Sequence, residues 1–376
     1  MKPRAIFHLD GEPGFRGGER QALYLATALK ARGRRGVVWA RAGSEFAAAA
    51  EKRGLEVRTA PWLGEWDALS AAKLAAAARR EGAILHAHTA HAAGVAALAS
   101  LAGVPVVAHR RVDFPVSRTS AALKYGRAGK VVCVSEAIAR LMEEAGVPRA
   151  KLAVVPDGIP ADKAEAAWAG VDAGAYGEPS RAEKDAYRRT LSQELGVDAG
   201  ATWVGNLAAL VPHKDHDTLL AAAVIVLLKR PNVRFLIAGR GPEEARLFES
   251  IKRMGLLGKV LLIGHREDPL PVLKALDVYC QSSWGEGMGS VLLEAAACGV
   301  PVAATTAGGI PEVVTNHETG LLVEPRRPEA LADAIVRLVD DRALAASLAR
   351  EARNRLPRFG LKRMADRLEE VYDALP

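Results

Sequence analysis

Two acids, Glu286 and Glu294, are separated by seven residues, Gly287-Met288-Gly289-Ser290-Val291-Leu292-Leu293. The apolar run Ala275 to Cys280 before them reads as a short buried strand. The small, apolar run Leu292 to Cys298 after them reads as a helix. A glycine loop that leads from strand to helix offers backbone N–H groups to an anion, and the helix dipole adds to the attraction. With one acid in the loop and one in the helix, the stretch suits a diphosphate with hydroxyl-bearing groups at both ends.

Other loops in the same half supply matching chemistry. Lys214, in Val211-Pro212-His213-Lys214-Asp215, falls just before a helix, where a cation suits a phosphate. Gly239-Arg240-Gly241-Pro242 and Gly264-His265-Arg266 are tight turns that expose backbone. Together with Gly287 to Ser290 they make four candidate ligand loops on one sheet edge. Asp215-His216-Asp217 has the D-x-D form of a metal motif, but it opens an amphipathic helix bearing Leu219, Leu220 and Ala223, so helix capping is the preferred reading.

In the first half, Gly17-Gly18 stands where a glycine-rich loop (Asp10 to Glu19) meets a helix, and would let a ligand approach the backbone closely. His88, His109, Ser135 and Asp157 all follow apolar runs that read as strands. The run His86-Ala87-His88-Thr89-Ala90-His91 invites a zinc reading. His86 is expected to point away from His91 or into the sheet, with no carboxylate or cysteine at hand, so no metal is invoked. Ala161 to Pro179 reads as a linker of small residues.

The elements that must hold these groups alternate strand and helix along both halves. The first half runs from the strand Ala5 to Leu9 to the strand Leu152 to Val155. The second runs from the strand Trp203 to Leu210 to the helix Leu361 to Leu375. Such alternation predicts parallel sheets covered on both faces, with ligands beyond the carboxyl ends of the strands. At 376 residues, two domains are expected.

Composition is that of a globular chain, 49% hydrophobic and 25% charged, without an uninterrupted apolar run of ~18 residues. The start, Met1-Lys2-Pro3-Arg4, is basic, but Asp10 and Glu12 come too soon for a signal peptide. Cys133, Cys280 and Cys298 lack metal-ligand spacing and read as buried reduced thiols of a cytoplasmic protein. Net charge is +7, and the excess lies in residues 1–180, which hold 25 Lys+Arg against 18 Asp+Glu. No basic run is interleaved with aromatics, so no nucleic-acid partner is expected. An anionic membrane surface or an acidic acceptor fits the charge.

The spacing of Glu286 and Glu294 resembles the E-x7-E signature of retaining GT-B glycosyltransferases. The run from Glu286 to Pro325 is similar to that of family 4 glycosyltransferases, also called glycosyl transferases group 1. Gly17-Gly18-Glu19, Val134-Ser135-Glu136, Val155-Pro156-Asp157-Gly158, Pro212-His213-Lys214-Asp215 and Ala238 to Pro242 match the family's spaced elements, so the resemblance spans nearly the whole chain. It implies the GT-B fold: two Rossmann-like doubly wound parallel-sheet domains facing across a cleft, at residues 1–165 and 166–357, with a C-terminal helix in 358–376 packing back toward the first.

The resemblance also implies roles. The donor is a nucleoside-diphosphate sugar, linked to UDP, GDP or ADP. Glu294 holds the ribose hydroxyls, Glu286 the hydroxyls of the transferred sugar, and Lys214 the diphosphate. The backbone from Gly287 through Met288 and Gly289 to Ser290 meets diphosphate or sugar. Gly239, Arg240 and Gly241, with His265 and Arg266, flank the base. Gly17 and Gly18 close over the phosphates, and His109 approaches the transferred sugar. Apart from the resemblance, the basic first half, with His88, Arg110, Arg111 and Asp113, is expected to line the acceptor side, and its charge points to a glycan or glycolipid of the lipopolysaccharide or surface-polysaccharide kind at the inner face of the membrane. No cofactor or metal is implied.

One departure stands out. The family usually has an arginine a few residues before the lysine, and Gly205 to Leu210 contains none. Arg240, Arg16 or the backbone dipoles must take its share. Two other activities suit the same groups, a sugar-nucleotide epimerase and a non-catalytic nucleotide-sugar-binding protein. A nicotinamide dehydrogenase is disfavoured, because no G-x-G-x-x-G follows a strand.

Overall fold

The structure is a computed structural model that describes residues 4–172 and 174–375; the basic start at Met1–Pro3 lies outside the described residues. The chain forms two compact units, residues 1–173 with 358–376, and residues 174–357. The first holds a sheet of β1 (Ile6–Asp10), β2 (Gly36–Arg41), β3 (Glu56–Ala60), β4 (Ile84–Ala87), β5 (Val106–Arg110), β6 (Lys130–Cys133) and β7 (Leu152–Val154). Their order is β3-β2-β1-β4-β5-β6-β7. The second holds β8 (Thr202–Leu207), β9 (Val233–Ala238), β10 (Val260–Leu262), β11 (Val278–Gln281), β12 (Val302–Thr305) and β13 (Leu321–Val323), in the order β10-β9-β8-β11-β12-β13.

Every pairing is parallel, with Ile6 opposite both Gly36 and Ile84 and with Val204 opposite Phe235 and Val278. The central strands are buried on both faces, which is why they read as continuous apolar runs without alternation. In each unit the order reverses beside the first strand, between β1 and β4 and between β8 and β11. A doubly wound sheet opens a crevice at such a reversal, beyond the carboxyl ends of the two strands. The fold therefore chooses which loops can meet: those after β1 and β4, and those after β8 and β11.

Helices cover both faces of each sheet. In the second unit Leu219, Leu220, Leu331 and Ile335 close over Phe235 and Ile237, while Leu191, Leu273, Leu292 and Ala295 close over Trp203 and Tyr279. In the first, the last helix, Leu361–Asp373, returns to lie on the helix Gly17–Ala31. Leu361, Leu368 and Tyr372 share a core with Tyr24 and Leu25, and Arg32 pairs with Asp366 and Glu369, each at 2.6 Å. The three cysteines are buried and unpaired, and burial pushes the Cys133 and Cys298 thiols up to about 12, which makes them inert. Among the described residues no helix is long and apolar enough to cross a membrane.

The linker expected over 161–179 is corrected in its first half. Lys163–Ala169 is a helix of the first unit, capped by Asp162, whose side chain accepts from Glu165 N, and ended by Gly170 at φ 65°. Small alanines suggested a linker by composition. They are also strong helix formers, and Ala169 and Trp168 have an apolar surface to cover. The division between the units falls at 173/174 as a result. The helix Arg118–Tyr125, capped by Ser117, lies in a stretch where periodicity gave no element.

Glu165 ties the short helix to the last one. Its carboxylate accepts from Ala161 N (2.8 Å), Leu361 N (2.8 Å) and Lys362 N (3.0 Å), an anion at a helix N-terminus. Glu165→Ala is expected to lower the unfolding free energy by about 2 kcal/mol in urea titration, since buried N–H groups lose a charged acceptor.

Candidate active site

The loop after β8 ends in a single turn, Pro212–Lys214, followed by Asp215 in the left-handed conformation at φ 49°. Asp215 accepts from Thr218 N (3.3 Å) and Thr218 Oγ1 (2.7 Å), so it caps the helix His216–Lys229, and Asp217 pairs with Arg246 at 2.8 Å. The D-x-D acids are thus engaged in capping and surface pairing. The loop after β11 is laced to this turn. Trp284 N and Gly285 N donate to His213 O (3.0 and 3.3 Å), and Ser282 Oγ donates to Lys214 O (2.9 Å).

That lacing brings Lys214 to Glu286. Lys214 Nζ donates to Glu286 Oε2 at 2.5 Å, and the same oxygen accepts from Gln281 Nε2 (2.5 Å) and Ser283 Oγ (3.3 Å). Both charged side chains keep a narrow window on solvent, 17% and 12% exposed. The backbone is held from the other side, where Glu286 O accepts from Gly309 N at 3.0 Å. Gly308, at φ 51°, lies so close that a Cβ on it would stand 1.9 Å from that oxygen. Gln281, Ser283, Gly308 and Gly309 were missed in the sequence reading. The pair Gly308-Gly309 carried a signal, because two adjacent glycines after a strand often mark close backbone approach.

Gly289, at φ 84°, opens the helix Ser290–Ala297, and no side chain caps that end. Gly287, Met288 and Gly289 are buried, Ser290 is half-buried, and Glu294 lies within the helix with no exposed surface. The turns after β9 and β10 are joined, since Gly239 N donates to Gly264 O at 2.9 Å. Gly239 and Gly241 lie against the backbone of 208–210; a Cβ on either would meet the Ala208 or Leu210 carbonyl at 1.9 or 2.2 Å. Arg240 and His265 are exposed, and Arg266 donates to Glu194 at 2.6 Å. Where the family's arginine is absent, Asn206 is buried, donating to Cys280 O (2.9 Å) and facing His216 Nε2 (3.1 Å).

In the first unit, Gly17 and Gly18 form the first turn of the helix Gly17–Ala31, and Arg16 N donates to Glu19 at 2.7 Å. Gly18 faces Arg111, whose Nε donates to Asp157 Oδ1 at 3.0 Å with both side chains buried. Burial raises the Asp157 carboxyl, and Arg111 opposes that rise. Arg110 bonds Phe114 O, and Asp113 is half-buried in the loop after β5.

Four histidines gather here, including His8, which drew no attention in the sequence. His8 Nδ1 lies 3.0 Å from His88 Nε2, His86 Nε2 lies 3.3 Å from His109 Nδ1, and His86 Nδ1 lies 2.7 Å from the Tyr372 hydroxyl. Burial is the main force that lowers all four, His8 to about 3, with the Arg111 charge adding to it. His91 is exposed and pairs with Glu12 at 2.7 Å, so the expectation that no carboxylate stands near these histidines is corrected for that one.

Nitrogens of His8, His86 and His88 lie within 4.8 Å of one another, a grouping that could hold a metal by distance alone. The hydrogen bonds oppose it. Arg111 lies 3.4 Å from His88 Nδ1 and can only donate, so neutral His88 carries its proton on Nε2, facing His8. A protonated nitrogen is no ligand, and the guanidinium repels a dication.

Residues 188–355 match the family model described as Glycosyl transferases group 1, and residues 15–163 match Glycosyltransferase Family 4. A lipopolysaccharide core biosynthesis mannosyltransferase, LpsB, of Rhizobium meliloti (strain 1021) is 33% identical over 193 residues, which are 48% of this chain and 54% of its own. A D-inositol 3-phosphate glycosyltransferase of Saccharomonospora viridis is 32% identical over 297 residues, 76% of this chain and 63% of its own. The chain spans about half the length of the curated relatives it matches. The crystal structure of Anabaena Alr3699/HepE in complex with UDP-glucose superposes with a TM-score of 0.84 at 26% identity, over 98% of this chain and 99% of that one. The chain belongs to the GT-B glycosyltransferases of family 4, the group 1 type.

Gly308→Ala is expected to lose about 1–3 kcal/mol of stability by chemical denaturation, because the added carbon cannot fit beside Glu286 O without moving the loop.

Proposed function

We propose that this protein transfers a sugar, with retention of configuration, from a nucleoside-diphosphate sugar to a hydroxyl of a cell-surface glycan or glycolipid. The observation that carries the reading is the Lys214–Glu286 pair at the head of the helix that bears Glu294. A diphosphate entering there would draw Lys214 from Glu286 and meet the N-terminus of Ser290–Ala297. Glu286, released, would accept from hydroxyls of the sugar while Gln281 and Ser283 keep it oriented. Glu294 would hold the ribose, and the backbone around Gly239 and Gly264 would border the base.

In this mechanism the main task is to stabilise the charge on the departing diphosphate. Lys214 and backbone N–H groups do so without a metal or cofactor, and the leaving phosphate takes the acceptor's proton. His109 would address the transferred sugar. UDP is the favoured nucleotide because the HepE complexes hold UDP and UDP-glucose. A lipopolysaccharide-type acceptor is supported by LpsB. The basic excess of residues 1–180 supports catalysis at the cytoplasmic face of an anionic membrane.

Thermal-shift screening against UDP-, GDP- and ADP-sugars should single out one donor, by ligand-linked stabilisation. Incubation of that donor with acceptor should release nucleoside diphosphate. Epimerised donor without acceptor would point to an isomerase instead, and binding without release to a non-catalytic protein. Glu286→Ala is expected to abolish transfer while leaving the fold intact, and normal turnover in that variant would sink the assignment. Lys214→Ala should weaken donor use tenfold or more, on the order of a lost charge-assisted contact of ~1.5–3 kcal/mol, measured as kcat/KM for the donor.

A further inference from the structure

The second hydrogen-bond chain of the histidine cluster runs from the last helix to the end of β5. We propose that Tyr372 and His86 are positioning residues that hold His109 as its Nε2–H tautomer, so that this ring presents a hydrogen-bond donor rather than a base. The inference rests on the reading above only in supposing that the oxygen met by His109 belongs to the sugar.

The argument starts at Tyr372, whose side chain is 1% exposed. Burial raises its hydroxyl, which stays protonated and must place its hydrogen on an acceptor. The hydrogen bond made by that hydroxyl is to His86 Nδ1, at 2.7 Å. Were His86 Nδ1 itself protonated, two hydrogens would face each other across that distance. His86 Nδ1 is therefore the acceptor. Burial keeps the His86 imidazole neutral, with one proton, which must sit on Nε2.

His86 Nε2–H then donates to His109 Nδ1 at 3.3 Å, and the two rings lie within 4° of parallel, an orientation compatible with an in-plane bond. His109 is likewise neutral by burial, so its single proton is displaced to Nε2. That nitrogen, on the far side of the ring, is buried and has no hydrogen-bond partner, although buried N–H groups are nearly always paired. A donor held in this way awaits an acceptor oxygen. Burial keeps the proton count at one per ring, and the Arg111 charge adds to it by opposing a second proton on His86 and His109 alike. Tyr372 thus acts through two bonds on a nitrogen it never touches, which gives the C-terminal helix a role beyond packing.

Side-chain nitrogen spectroscopy of the histidine-labelled full-length protein tests this directly, with His109 assigned by the signal set lost in His109→Gln. The expected pattern has a protonated Nε2 and an unprotonated Nδ1, unchanged between about pH 5 and 8. In Tyr372→Phe the pattern should become a mixture of tautomers. A wild-type His109 protonated at Nδ1, or titrating in that range, overturns the inference, as does an unaltered pattern in a folded Tyr372→Phe. In the transfer assay Tyr372→Phe should lower kcat about tenfold with the acceptor KM unchanged. The expected spectrum in a protein that transfers no sugar would uphold the tautomer and overturn the functional reading instead.

Discussion

The Lys214–Glu286 pair is the contact around which the second unit's site is arranged. Neither group would be placed without the reversal of strand order between β8 and β11, which sets two loops side by side. The partially buried carboxylate needs its cation, because removing charge from water is costly unless it is paired and hydrogen-bonded. Gln281 and Ser283 complete that satisfaction, and the 308–309 backbone fixes the carbonyl behind it. Glu286 is therefore held twice over, by the lysine and by a second set of donors on the same oxygen.

Glycine is used here for proximity as much as for conformation. At Gly239, Gly241 and Gly308 a single added carbon would strike a backbone oxygen within about 2.2 Å, so each is a point where two loops touch main chain to main chain. Such contacts let the ends of β8, β9, β11 and β12 converge on one edge of the sheet, with backbone lining where bulky side chains would otherwise fill the crevice.

Much of the fold was legible because parallel strands buried on both faces leave a plain trace: short apolar runs between helical periods. The Glu286–Glu294 spacing was legible for a similar reason, since loop and helix are contiguous. The pairing of Glu286 with Lys214 was not legible from either segment, because it depends on which strands are neighbours. His8 was hidden in the same way, lying in an apolar strand until β1 and β4 place it beside His86 and His88. The helix Lys163–Ala169 shows the opposite failure. Its residues favour a helix, but the surface that makes the helix worth forming comes from Gly17–Ala31 and Leu361–Asp373, far away in the chain.

The two units set opposite electrostatics at the same topological position. In the second, a lysine and a glutamate pair face to face and keep a narrow window on water. In the first, the histidines are sealed from solvent beside a guanidinium that is itself pinned by Asp157, and both conditions drive the imidazoles to neutrality. A neutral ring adds no charge to compete for an anion, yet it offers a directional donor to a hydroxyl oxygen. Burial thus separates the two clusters: a charged pair that keeps contact with water in the second unit, and neutral rings sealed from it in the first.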